Sequence, residues 1–147
     1  HKGVHFIVLN SNEQDGKGEY RLGEGQIAWL RKDLKAVGTD VPIVLAMHVP
    51  MLSLYYPAIE GRYVTSDGMF SNYKEVWDML RDYRVELVLQ GHQHVYEEIY
   101  TRKTQFVTGG AICDNWWLEG GFGDTFSGYL MVYVDRDDRI TWEYVCF

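Results

Sequence analysis

The chain has 147 residues, enough for one domain with a substantial core but hardly for two. Apolar residues make up 46% and aromatics 15%, which excludes a disordered chain, while a formal net charge of -7 argues against a general nucleic-acid or anionic-membrane surface. No apolar run approaches the roughly 18–20 residues of a membrane span, and no basic and apolar leader opens the chain, so neither membrane insertion nor an export signal is read from it.

Taken in chain order, Val4–Leu9 is a short apolar strand that begins almost at the first residue, as if a core were entered midway. A polar, glycine-rich stretch runs from Asn10 to Gly25. The helix that follows carries Ile27, Leu30, Leu34 and Val37 on one face, with Arg31, Lys32 and Lys35 elsewhere, and Gly38 is placed to end it. Residues 43–47 are continuously apolar, as in a strand covered on both faces, and His48-Val49-Pro50 leaves it. The stretch Pro50–Ser71 reads as a long functional loop holding Tyr55, Tyr56 and Tyr63. Asn72 with Glu75 resembles a capping box opening a helix with Tyr73, Val76, Trp77, Leu80 and Tyr83.

A second buried-looking strand, residues 85–89, leads into Gly91-His92-Gln93-His94. Beyond it helical periodicity stops. Val95–Tyr100, Thr104–Thr108, Tyr129–Val134 and Arg139–Val145 read as strands, with Asp135 to Asp138 turning a terminal hairpin. Gly109–Gly128, with Trp116 and Trp117, reads as an irregular loop. Cys113 and Cys146 are too few and too distant for a disulfide framework and are expected as two ordinary buried thiols.

The chemistry concentrates in three histidines. His48 and the His92/His94 pair each follow a strand, at the carboxyl edge where open α/β sheets build their sites. A lone histidine is more often structural than a ligand, and His1 and His5 are read so. An HxH pair after Gly and a buried strand, joined by a second strand-end histidine, points instead to imidazole ligation of Zn, Fe or Mn. Two imidazoles at i and i+2 share a direction in extended backbone, and Gly91 permits an abrupt exit from the strand.

These residues resemble the calcineurin-like metallophosphoesterases, nearest their purple-acid-phosphatase-like branch. Family members end with a lone His after a buried strand and then a GHxH signature, matched by His48 and Gly91-His92-Gln93-His94. The opening Gly3–Leu9, the segment Gln26–Leu30, Gly109-Gly110-Ala111 and the closing hairpin are similar to later parts of the same family. The resemblance implies the C-terminal half of an αββα sandwich, an α/β fold ending in antiparallel strands, as one partial domain over residues 1–147 with the N-terminal metal-binding half absent.

It also implies roles. His48 and His92 would bind one metal and His94 a second, with Fe, Mn or Zn in a binuclear centre that hydrolyses a phosphate ester. The family's Asp-x-His and Gly-Asn-His-Asp/Glu motifs do not occur, and no Asp or Glu stands in a setting comparable to the bridging aspartate. Glu60, Asp67, Asp114 and Asp124 lie in loops and are read as solvated. A binuclear centre from this chain alone is therefore not expected, at most a partial occupancy, and no residue of the chain is assigned a catalytic role. Tyr55, Tyr56, Tyr63 and Trp116 are candidates to line the substrate pocket. Two alternatives stay open: a non-catalytic module or subunit with a residual histidine site, and a cupin-type mononuclear site using Glu98. An exposed interface toward the missing half predicts self-association.

Overall fold

The structure is a computed structural model that describes residues 1–61, 68–113, 125–137 and 139–147, with only the backbone of Ile59 and Glu60. Tyr63, Asp67, Asp114, Trp116, Trp117, Asp124 and Asp138 lie outside the described residues.

Apolar strands alternate with amphipathic helices through the first part of the chain, and this pattern selects a parallel sheet. The elements are β1 (His5–Leu9), α1 (Glu24–Val37), β2 (Ile43–Met47), α2 (Tyr55–Glu60), α3 (Tyr73–Leu80), β3 (Val85–Gln90), β4 (Glu97–Thr101), β5 (Thr104–Thr108), β6 (Gly128–Val134) and β7 (Ile140–Cys146). One five-stranded sheet has the order β1-β2-β3-β5-β4, and β6 and β7 pair separately. Within the large sheet β1, β2, β3 and β5 are parallel and β4 is antiparallel to β5. The fold is α/β and ends in an antiparallel hairpin.

Strand register sorts the side chains onto two faces. Ile7, Leu45, Val88 and Phe106 face α1 and α3, whose Ile27, Leu30, Leu34, Val76 and Leu80 complete the larger core. Val44, Leu87 and Val107 face the other way, under Leu130, Val132, Val134, Ile140 and Trp142 of the hairpin. The layers are thus helix, sheet, sheet. Gly38 ends α1 at φ 84°, donating its N–H to the Leu34 carbonyl, a conformation that a residue with a Cβ rarely adopts.

Four local expectations are corrected. The Pro50–Ser71 stretch is not all loop, since Tyr55–Glu60 forms α2. Asn72 makes no side-chain cap on α3. Its amide instead clamps Leu22, accepting from the Leu22 N–H at 2.9 Å and donating to the Leu22 carbonyl at 2.9 Å. That tie joins the glycine-rich stretch to α3 and is invisible to a local pattern. α3 itself stops at Leu80, short of Tyr83. The cysteines are not buried thiols: Cys113 is half-buried, Cys146 exposed, and no disulfide links them.

Candidate metal centre

β2 and β3 are parallel neighbours, pairing Ala46 with Leu89, so the residues that leave them emerge side by side. His48 follows β2, and its carbonyl accepts the Gly91 N–H at 3.0 Å. That bond pins the start of the GHQH turn to the end of the neighbouring strand. The result is a contact between imidazoles: His48 Nε2 and His92 Nδ1 lie 3.3 Å apart. Their ring planes meet at 80° with centroids 5.2 Å apart.

The turn does not use extended backbone, which corrects the expected geometry. His92 and His94 both sit in the left-handed region, at φ 74° and 58°. Histidine tolerates this region better than branched residues do, yet each such position costs on the order of 1–3 kcal/mol and persists only where the surroundings impose it. Gln93, between the two, supplies that imposition. It is buried, its Oε1 accepts from Ser53 Oγ at 2.6 Å, and its Nε2 donates to the Gly68 carbonyl at 3.0 Å. Gln90 fastens the same loop one turn earlier. Its Oε1 accepts the Met51 and Leu52 N–H groups, while its Nε2 donates to the Leu52 carbonyl and Thr108 Oγ1. Ser11 Oγ accepts the Val49 N–H at 2.7 Å.

These buried polar residues were missed by reading the sequence for ligands. The available signal was a glutamine at the last position of an apolar strand, where a buried amide must be hydrogen-bonded on several sides. A second missed residue is Tyr20. Its ring packs edge-on against His92, with centroids 5.3 Å apart and planes at 78°. Nothing in the glycine-rich stretch marks it.

The electrostatics favour neutral imidazole. His48 keeps solvent access on one side, but crowding on the other lowers its proton affinity below the ordinary histidine value, and the neighbouring His92 and His94 add to the effect. A neutral ring presents the lone pair that a metal needs. Two nitrogens each about 2.1 Å from one ion, at octahedral to tetrahedral angles, stand about 3.0–3.4 Å apart. The 3.3 Å spacing of His48 and His92 fits that bite. Among the described residues no group of three or more His, Cys, Asp or Glu is arranged to hold a metal. His94 lies close enough to be felt electrostatically at His48.

Tyr55 and Tyr56 open α2, their rings edge-on at 5.2 Å. The helix is tied to the histidine turn by a relay: the Tyr55 N–H donates to Ser53 Oγ, which donates to Gln93. The Leu54 N–H donates to Glu97 Oε1. Glu98, on β4, is occupied by the Tyr96 hydroxyl and by Gln105 Nε2 of β5, in a mostly parallel sheet with helices on one face, which speaks against the cupin-type alternative. His5 binds Asp33 at 2.8 Å on the helix-covered side. A cavity of about 850 Å³, lined by Asp40, Arg84, Arg102 and Trp142 among others, opens at the start of β3 and β5. It lies at the opposite end of the strands from the histidines and is separate from this site.

Over 99 residues, 66% of its length, the chain is 32% identical to Purple acid phosphatase 23 of Arabidopsis thaliana. Purple acid phosphatase 13 of the same plant is 32% identical over 97 residues, 65% of the chain. These likenesses support a calcineurin-like metallophosphoesterase over part of the chain. The chain spans 19% and 16% of the length of these two curated phosphoesterase relatives. A dimetal phosphatase from Danio rerio overlaps 60% of this chain and 27% of its own, at TM-score 0.46 and 19% identity. No family model matches the chain.

Proposed function

We propose that this metallophosphoesterase chain supplies the histidine part of a binuclear metal centre that hydrolyses phosphate mono- or diesters. His48 and His92 hold one ion and His94 serves the second, with Fe, Mn or Zn as the metals. The observation that carries the reading is the 3.3 Å contact between His48 Nε2 and His92 Nδ1 at the ends of adjacent parallel strands. When bound beside these histidines, such ions would supply Lewis-acid polarisation of the phosphoryl oxygens and a lowered pKa for bound water.

The chain's own residues prepare for this. Partial burial, with His92 and His94 nearby, lowers the proton affinity of His48 and so favours the neutral, metal-donating ring. Gln93 fixes the turn that aims the two flanking rings, and Gln90 fixes the loop that leaves His48. The paired rings of Tyr55 and Tyr56 supply an apolar wall for the organic part of the ester. The bridging carboxylate and the remaining ligands come from residues beyond this set, so the chain by itself is not expected to turn over.

Metal content by ICP-MS, paired with p-nitrophenyl phosphate turnover in added Mn²⁺, Fe²⁺ or Zn²⁺, tests the reading. The expected result is at most one equivalent of metal per chain, lost in His92→Ala, and no turnover. Two metals with turnover would mean that copies of the chain assemble into a complete centre. A chain that takes up no metal under any of these conditions contradicts the reading.

A further inference from the structure

We propose that Tyr20 is a positioning residue for His92, holding its imidazole against His48 so that both rings address one ion. The proposal rests on the reading of His48 and His92 as co-ligands. His92 stands between two rings. Tyr20 meets it at 78° and 5.3 Å on one side, and His48 at 80° and 5.2 Å on the other. An imidazole that rotates about its side-chain bonds loses the 3.3 Å approach to His48 Nε2. The Tyr20 ring, packed edge-on against the imidazole, restricts that rotation. Ligand histidines are commonly oriented by hydrogen-bonded neighbours whose loss weakens metal binding by about 10–100-fold, and a packed ring is expected to act at the lower end of that range.

Tyr20 is itself held. Its carbonyl accepts the Ser71 N–H at 2.7 Å, and the next residue, Arg21, donates its N–H to the Glu13 carbonyl at 2.8 Å. Leu22 is fully buried and clamped on both backbone groups by the Asn72 amide. Gln14 and Tyr20 also bridge across the loop. The aromatic ring therefore projects from an anchored strap that comes from a different crossover than either histidine. Edge-on pairing favours this relative orientation of the two rings, which biases the ring rotamer of His92.

The test is a Zn²⁺ titration of the full chain by calorimetry, with the ring ¹⁵N shifts of His48 and His92 followed by NMR. In the native chain both imidazoles are expected to shift together on adding Zn²⁺. Tyr20→Ala is expected to weaken Zn²⁺ binding by about tenfold and to leave His92 unshifted while His48 still responds. Tyr20→Phe keeps the ring and is expected to bind within about twofold of the native chain. Tyr20→Leu keeps apolar bulk in the core and removes the ring, so it replaces the alanine variant if that one unfolds, with the same expected loss. Native affinity with coupled His48 and His92 shifts in a folded Tyr20→Ala or Tyr20→Leu variant overturns the proposal. If His92→Ala binds Zn²⁺ as the native chain does, the co-ligand reading itself fails, whatever Tyr20 does.

Discussion

On one face of the five-stranded sheet, Ile7, Leu45, Val88 and Phe106 are sealed beneath α1 and α3. On the other, Val44, Leu87 and Val107 are sealed beneath the β6–β7 hairpin, yet Phe6 and Val8 of β1 remain 46% and 75% exposed. β1 is as apolar on its second face as on its first, but cover reaches only one of them. The difference separates two things an apolar strand can mean. Ile7 and Leu9 report a core that exists in this chain, whereas Phe6 and Val8 form exposed apolar surface of the kind found at interfaces. β1 is also an edge of its sheet, which adds backbone groups open to pairing.

Substitutions on the two faces should separate in size. Phe106→Ala removes a ring that is almost fully buried under the helices, next to Trp77. The expected loss is about 3–5 kcal/mol, read by urea denaturation. Trp142→Ala acts on the partly covered face, where the indole packs against the smaller cluster, and about 2 kcal/mol is expected from the same measurement. The double change Phe6→Ser with Val8→Ser should leave stability within about 0.5 kcal/mol per site while reducing self-association in sedimentation velocity. Equal losses at Phe106 and at Phe6 would mean that the two faces are finished alike.

Much of this fold was legible because its strands and helices are written in local pattern. The apolar runs 43–47 and 85–89 and the repeat of Ile27, Leu30 and Leu34 each specify their own period. His48, His92 and His94 stood out for the same reason: each follows such a run. What sets their geometry was not legible. Gln90, Gln93 and Asn72 act through bonds to residues 18 to 50 positions away, and an amide in a sequence carries no mark of its distant partner. Tyr20 reaches His92 only once its strap has folded over the strand ends. The left-handed backbone of His92 and His94 also escaped the sequence, because tertiary bonds impose it rather than residue preference.

The sharing of one ion by His48 and His92 is tested most directly by zinc K-edge X-ray absorption on the chain loaded with one equivalent of Zn²⁺. Two imidazole nitrogens at about 2.0–2.1 Å are predicted in the native chain, falling to one in His48→Ala and in His92→Ala. A shell of oxygen alone, or a spectrum that neither substitution changes, would contradict the account.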